Sequence, residues 1–205
     1  MPSISALILA AGGSTRMHRP KQLLRIDGES LVHRSARAAL EAGCAPVVVV
    51  TGAQAHAIAP EVADLPVQIA LNADWPKGMG GSIRAGLEAL LKIDANIEAA
   101  MILLCDQPRL SAKVLTDLTA AFLRGRKPIA ACRYAATLGP PCCFAKSLFN
   151  ELLCLADAEG AKKLLLKDPS RVTAMDWTEG ECDLDTPGDW QRFCKTANPS
   201  PESAP

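Results

Sequence analysis

Ser5-Ala6-Leu7-Ile8-Leu9-Ala10-Ala11-Gly12-Gly13-Ser14-Thr15-Arg16-Met17-His18-Arg19-Pro20-Lys21 runs from an uninterrupted apolar stretch into a glycine pair and then a basic segment. The apolar part, Ser5–Ala10, reads as a buried strand that breaks at Gly12-Gly13. Small residues let the main chain approach a ligand closely, and successive exposed N–H groups cradle anionic oxygens. Arg16, Arg19 and Lys21 add three positive charges within six residues, a set suited to a polyphosphate. The competing reading is a flexible loop with solvated charges. Its place directly after a buried strand favours binding, because ligands of open α/β sheets sit beyond the carboxyl ends of strands.

Working outward, short apolar runs alternate with longer amphipathic ones, the pattern of an α/β fold with a mostly parallel sheet. Strands are predicted at Val47–Val50, Val67–Leu71, Ala99–Cys105, Ile129–Tyr134 and Val172–Trp177. Ser30 caps a predicted helix to Glu41 that Gly43 closes, and Ser82 caps another to about Lys92 with Ile83, Leu87, Leu90 and Leu91 as its stripe. Ser111 opens a third to Arg124, while Lys146–Leu155 and Ala161–Lys167 look helical. Thr186-Pro187 starts a last helix to about Lys195. The expectation is one domain over residues 1–195, followed by a disordered Pro/Ser-rich tail at 196–205.

Composition removes several classes. With 205 residues, 49% of them hydrophobic, the chain has enough apolar material for a sizeable core. Twenty-two Lys and Arg balance twenty-two Asp and Glu, and aromatics are only 4%, so neither a basic footprint nor a row of stacking platforms for nucleic acid is present. No apolar run reaches the roughly 18 residues of a membrane span, and no basic segment precedes Leu7-Ile8-Leu9 as in a secretory leader. Eight cysteines lack any C-x-x-C spacing. Cys105, Cys132 and Cys154 lie in apolar segments, so the thiols read as reduced core residues of a cytoplasmic protein, with a disulfide or metal role as the alternative. His33 and His56 have no second ligand at metal spacing and read as surface helix residues; Trp177 and Trp190 read as core or helix anchors.

Familiar phosphate and nucleophile signatures fail: G-x-x-x-x-G-K-[ST], G-x-G-x-x-G and G-x-S-x-G are all absent. Two acids stand out instead. Asp106 ends the apolar run Met101–Cys105, and Asp185 precedes the last helix. A hard divalent cation bound to phosphates needs only one or two carboxylates, with water and substrate oxygens completing its shell. The structural alternative is a turn acid at Asp106 and a helix-start acid at Asp185. A second glycine-rich stretch, Asn72-Ala73-Asp74-Trp75-Pro76-Lys77-Gly78-Met79-Gly80-Gly81-Ser82, makes another close-approach loop in which Asn72 has the reach to contact a base or ribose; its alternative is an ordinary connection.

At these residues the chain resembles a known family. Leu-Ala-Ala-Gly-x-Ser-x-Arg-Met…Pro-Lys-Gln-Leu-Leu (9–24) looks like the signature of the MobA-like nucleotidyltransferases, most closely the molybdenum cofactor cytidylyltransferase (MocA-like) group. Val49-Val50-Thr51-Gly52, Asn72-x-x-Trp75-x-x-Gly78-Met79-x-x-Ser82, Cys105-Asp106-Gln107-Pro108, Gly139-Pro140-Pro141-x-x-Phe144 and Asp183-Leu184-Asp185-Thr186-Pro187 follow in the family's order. The resemblance implies a GT-A-like, Rossmann-like fold and an Mg²⁺-dependent transfer of CMP from CTP to a molybdopterin-type cofactor, releasing pyrophosphate. It implies that the Ala10, Ala11, Gly12 and Gly13 backbone holds the nucleotide, with Gly52 and Asn72 beside it, while Arg16 and Lys21 neutralise its phosphates. Gly78, Met79 and Ser82 would line the base and ribose pocket, and Asp106 with Asp185 would bind Mg²⁺; Arg16, Lys21 and Asp106 are the expected catalytic residues. A recipient molybdoenzyme or its maturation chaperone is the implied protein partner. No general base is assigned, because a phosphate monoester is already a competent nucleophile. A GTP-using relative, an enzyme for another phosphorylated small molecule, and a non-catalytic cofactor carrier are the alternatives.

Three departures from the family pattern are visible. His18 replaces a usual Gly and reads as facing solvent; Ala158 takes the usual Asp place in Asp157-Ala158-Glu159-Gly160-Ala161; Cys142-Cys143 stands where apolar residues are usual and reads as packing. The second departure bears on the acceptor more than on the nucleotide.

Overall fold

The computed structural model describes residues 4–197. In chain order it comprises β1 (Ile4–Leu9), β2 (Arg25–Ile26), β3 (Glu29–Ser30), α1 (Leu31–Glu41), β4 (Val47–Thr51), α2 (Ala55–Glu61), β5 (Gln68–Leu71) and α3 (Met79–Ile93). There follow β6 (Ala99–Leu104), α4 (Ala112–Gly125), β7 (Ile129–Tyr134), β8 (Thr137–Ala145), α5 (Phe149–Leu153), α6 (Lys162–Lys167), β9 (Val172–Asp176) and α7 (Pro187–Ala197). One seven-stranded sheet carries the order β5-β4-β1-β6-β8-β7-β9, and β2-β3 forms a separate small hairpin. The pairs β1–β4, β1–β6, β4–β5 and β7–β9 are parallel; β8 alone runs antiparallel to its neighbours β6 and β7. The mostly parallel α/β fold expected from the sequence is the fold observed.

Apart from Ser5 and Thr51, the central strands β1, β4 and β6 are apolar because both of their faces are covered. Ala6 and Ile8 join Val47, Val49, Met101 and Leu103 on one face, under Val32, Ala36 and Ala39 of α1 and Leu115 and Leu118 of α4. Leu7 and Leu9 join Val48, Val50 and Ile102 on the other, under Ile83, Leu87 and Leu90 of α3. Side chains of a strand alternate between faces, so one six-residue strand feeds two cores. A Cβ at Gly86 of α3 would meet Val50 at 2.6 Å and Leu7 at 2.9 Å, so the glycine sets how closely α3 lies on the sheet.

β8 has no counterpart among the strands predicted from the sequence. Pro140 and Pro141 argue against an interior strand, since proline cannot donate to the ladder. The structure accommodates them in an irregularity: the β7–β8 register passes from Ala131↔Cys142 to Cys132↔Gly139, leaving both prolines without a partner in the ladder. The α2 helix and the β2–β3 hairpin were also not anticipated. Ser82 does not cap α3 as expected; Gly78 occupies that position and Ser82 lies inside the helix, where it accepts from Asn72. Thr186 does open α7 as predicted, in a reciprocal cap in which Asp189 N–H donates to Thr186 Oγ1 and Asp189 Oδ2 accepts from Thr186 N–H. Residues 196 and 197, expected in a disordered tail, are helical, and 198–205 lie outside the described residues.

Cys44, Cys105, Cys132, Cys142 and Cys143 are buried and free, and Cys142 and Cys143 pack on opposite faces of the sheet. Cys154, expected among core residues, is exposed. Trp177 is buried, and Trp190 stacks on Phe193 along α7. His56 and His18 are exposed, while His33 is partly covered and within 3.2 Å of Asp64. No helix among the described residues is long and apolar enough to cross a membrane.

Candidate active site

The chain leaves β1 for β4 and β5 on one side, then returns to place β6 on the other. The sheet order therefore reverses between β1 and β6, and ligands of open α/β sheets bind beyond the carboxyl ends of the strands at such a reversal. A cleft of about 300 Å³ lies there. Leu9, Ala11 and Gly12 line it from the end of β1, Leu104, Cys105 and Asp106 from the end of β6, and Trp75, Gly78, Met79 and Ser82 from the second glycine-rich stretch.

The first loop is fixed from beneath. Gln22 is 1% exposed. Its Nε2 donates to the carbonyls of Ala10 at 3.0 Å and Gly12 at 2.6 Å, and its Oε1 accepts from Ser14 Oγ at 3.1 Å. Ser14 Oγ in turn accepts from the Lys21 N–H at 3.1 Å. With these carbonyls bound inward, the N–H groups of Gly12 and Gly13 make no bond to another described residue. Positive φ falls not on the glycine pair but on Ser14 at 52° and His18 at 56°, which flank the short turn Thr15–Met17. Met17 anchors that turn in a small apolar cluster with Leu24, Ile26, Leu31, Leu184 and Phe193, so α7 holds the loop's outer side. Arg19 lies 5.7 Å over the Trp190 ring of the same helix.

The two acids meet across the chain. Leu184 N–H donates to the Asp106 carbonyl at 3.0 Å, pinning the Asp183–Asp185 segment beside the end of β6. Lys21 Nζ then donates to Asp106 Oδ2 at 2.5 Å and to Asp185 Oδ1 at 2.9 Å, while Arg16 reaches Asp185 Oδ2 at 2.8 Å. Burial alone would lower the Lys21 pKa; the adjacent carboxylates outweigh it and hold the ammonium well above its ordinary range. Asp185 is lowered: burial opposes ionisation, but Lys21 and Arg16 prevail. Asp183 is raised to about 6, by crowding against protein atoms and by the charges of Asp106 and Asp185, although its side chain keeps contact with solvent. The second oxygen of Asp106, Oδ1, is buried without a hydrogen-bond partner. Among the described residues no group of three or more His, Cys, Asp and Glu is placed to hold a metal.

The second glycine loop makes its closest approaches to protein. A Cβ at Gly78, where φ is 133°, would meet the Asp157 carbonyl at 2.3 Å, and one at Gly80 would meet the Ala156 carbonyl at 2.1 Å. Gly80 N–H donates to Asp157 O, while Arg84 donates to Leu155 O at 2.5 Å and pairs with the Asp157 carboxylate. Asp157 and Glu159, the acids flanking Ala158, thus face Arg84 and Lys163. Asn72 is buried and spends its amide on Ser82 and on the Asp74 N–H, so it shapes the loop. Gly13 and Gly52 lie against Trp75, with a Cβ at Gly52 only 2.7 Å from the indole's Cβ.

Of the residues singled out in the sequence, Ala11, Gly12, Lys21, Gly78, Met79, Ser82 and Asp106 line the cleft. Arg16 and Asp185 stand at its edge through the Lys21 network. Ala10, Gly13, Gly52 and Asn72 are not among the lining residues: Ala10 N–H is spent on Val50 O and its carbonyl on Gln22, Gly52 packs on Trp75, and Gly13 stands beside the cleft with its N–H free of described partners. Gln22 had no role assigned from the sequence, and its setting, Arg19-Pro20-Lys21-Gln22-Leu23-Leu24-Arg25, carries no local signal of its burial. A second cavity of about 270 Å³ adjoins the first, sharing Met79 and Leu104 and adding Tyr134, Leu138, Pro140, Lys162 and Asp183. Gln107, buried beneath it, donates to Tyr134 Oη and to the carbonyls of Pro140 and Gly180.

Comparison with known proteins places this arrangement. Residues 6–172 match the sequence model of the MobA-like NTP transferase domain, which ends before Asp185 and α7. The chain is 37% identical over 127 residues to nicotine blue oxidoreductase of Paenarthrobacter nicotinovorans, covering 62% of this chain and 60% of that protein. It is 32% identical over 126 residues to a probable molybdenum cofactor guanylyltransferase of Opitutus terrae, covering 60% and 58%. These matches span about three-fifths of either relative, whereas the purine catabolism protein PucB of Bacillus subtilis is matched at 30% identity over 92% of this chain and 95% of its own. Among solved structures, Rv0371c of Mycobacterium tuberculosis superposes with a TM-score of 0.79 at 26% identity, covering 95% of this chain and 98% of that one. A further structure of Rv0371c is a complex with manganese, at a TM-score of 0.74. A strand-end cleft floored by the Leu-Ala-Ala-Gly loop, and a family match over most of the chain, lead to one assignment: this protein belongs to the MobA-like NTP transferase family.

Proposed function

We propose that the protein transfers CMP from CTP to the phosphate of a molybdopterin-type cofactor, with release of pyrophosphate. The observation that carries this reading is the joining of Asp106, Asp185, Lys21 and Arg16 into one charged network at the mouth of a cleft whose floor presents unspent backbone N–H groups. In this reading the amides of Gly12 and Gly13 hold phosphate oxygens, Lys21 and Arg16 balance their charge, and Met79 and Ser82 flank the base and ribose. The adjoining apolar cavity would seat the acceptor, with Lys162 at its wall. Attack on the α-phosphorus needs in-line placement and charge neutralisation, with little covalent work from protein groups.

Asp106 and Asp185 fit a hard divalent cation such as Mg²⁺. Both are oxygen donors, a cation already sits between them in the form of the Lys21 ammonium, and Asp106 Oδ1 has no protein partner. When bound, the cation would supply Lewis-acid neutralisation of the phosphate oxygens. The free thiols fit a cytoplasmic setting, where a maturation partner would accept the product. A guanylyl transfer is the second reading, favoured by the name of the Opitutus terrae relative.

Incubating purified protein with molybdenum cofactor, Mg²⁺ and either labelled CTP or labelled GTP tests both. CMP incorporation with stoichiometric pyrophosphate supports the first, GMP incorporation the second, and no incorporation from either nucleotide refutes the acceptor assignment.

A further inference from the structure

The aspartate pair already has an occupant. Lys21 Nζ lies within hydrogen-bond distance of both carboxylates, and the Lys21 and Asp106 side chains are 17% and 13% exposed. Two of the three N–H donors of the ammonium are committed to the carboxylates, so turning it onto the several oxygens of a triphosphate competes with holding the pair. Two cations cannot share the pair without the repulsion that a poorly solvated site magnifies. The backbone of Lys21 is pinned through Ser14 to Gln22, so only its flexible four-carbon stem is free to change partners.

We propose that Lys21 is a resident counter-cation, which holds the aspartate pair against divalent cations until a nucleotide triphosphate draws its ammonium away. This rests on the nucleotidyltransferase reading of the same site and adds a rule of order to it. The free protein binds the divalent cation weakly, nucleotide and cation bind with positive coupling, and by linkage each tightens the other equally. The lysine serves two anions in turn: the carboxylates in the free protein and the phosphates in the loaded one. Arg16 has no such role, since its guanidinium is 72% exposed and touches Asp185 alone.

The test is Mn²⁺ binding to the full chain without nucleotide, read from the electron paramagnetic resonance signal of free Mn²⁺. Lys21→Gln is expected to bind Mn²⁺ about tenfold or more tightly than the unsubstituted protein, within the usual range for coupled sites of roughly 5–150-fold. Lys21→Met, which keeps the stem but not the charge, repeats the measurement if the glutamine variant folds poorly. Lys21→Arg should stay weak, and Arg16→Gln should change affinity far less than Lys21→Gln. Adding CTP should tighten Mn²⁺ binding in the unsubstituted protein by a larger factor than in Lys21→Gln. Equal affinities for the unsubstituted protein and Lys21→Gln, or equal gains from Arg16→Gln, overturn the counter-cation role while the nucleotidyltransferase reading stands if CTP and Mn²⁺ still bind together. Absence of Mn²⁺ and CTP binding from every protein overturns both.

Discussion

Gln22 and Gly12 are joined by a 2.6 Å hydrogen bond from the glutamine amide to the glycine carbonyl, and the same amide nitrogen also serves Ala10. A buried side chain thus decides which way the peptide groups of the first loop point. Replacing Gln22 with Glu leaves the two carbonyls facing a carboxylate instead of a donor. Such a loss of a buried partner costs about 1–3 kcal/mol. Urea unfolding of Gln22→Glu should show that loss, and CTP binding should weaken beyond what Gln22→Leu, which removes the bond without adding charge, produces. Unchanged stability together with unchanged CTP affinity would count against the amide as the loop's anchor.

Two glycines of similar sequence setting should respond in opposite ways. A Cβ at Gly12 would meet nothing within 4 Å, whereas one at Gly80 would lie 2.1 Å from the Ala156 carbonyl. Gly12→Ala should therefore leave the melting temperature within experimental error while raising the KM for the nucleotide, because the added methyl occupies cleft space. Gly80→Ala should lower stability by about 1–3 kcal/mol, the cost of overpacking a filled site. A melting temperature lowered by Gly12→Ala and not by Gly80→Ala would contradict the packing described.

Asp106→Asn keeps the shape of the side chain and removes the charge that faces Lys21. If the carboxylate pair holds the activating cation, kcat should fall about 10²–10³-fold, the scale seen when a charge-stabilising group is lost. Removing divalent cations with a chelator should abolish turnover of the unsubstituted protein, and Mg²⁺ should restore it. Turnover that survives the chelator would refute the role given to the pair.

Asp183 gives a pH signature. Its pKa is raised from 3.8 to about 6, so between those values the folded chain holds a proton that the unfolded chain releases. Stability therefore falls as pH rises through that window. Asp183→Asn should remove this fall, so that its advantage in melting temperature over the unsubstituted protein grows from about pH 4 to pH 6 and then levels. A constant difference across the window would disprove the crowding of charge around Asp183.

His18 occupies a left-handed position, φ 56°, at the end of the Thr15–Met17 turn. A residue with a Cβ pays roughly 1–2 kcal/mol there, part of which glycine gives back through its freer unfolded chain. His18→Gly is expected to stabilise by up to about 1 kcal/mol in denaturant titration, and destabilisation would show that the imidazole makes a contact of its own. The usual glycine of the family at this place thus has a backbone reason.

The parallel sheet, the glycine loop after its first strand and Asp106 at the end of β6 were legible in the linear chain, because each is a local matter. Unbroken apolar runs report strands covered on both faces, and a glycine pair after such a run reports a turn at the sheet's carboxyl edge. β8 was illegible because Pro140-Pro141 breaks every local rule for a strand, and only the ladder's irregularity opposite Ala131 and Cys132 makes room for it. Gly78 and Gly80 read as making way for a ligand; the folded chain shows that they also make way for residues 156–158, a contact that no spacing announces.

The sequence alone therefore determined what kinds of groups stand at the strand ends, since periodicity and turn chemistry depend on neighbours in the chain. Tertiary structure decided which of those groups meet. Asp185 comes beside Asp106 through the hydrogen bond of Leu184 to the Asp106 carbonyl, and Lys21 lies between them because Gln22 and Ser14 bind its loop. Such meetings follow from the order of strands in the sheet, which is fixed by long-range closure and burial, and local residue patterns carry no record of it.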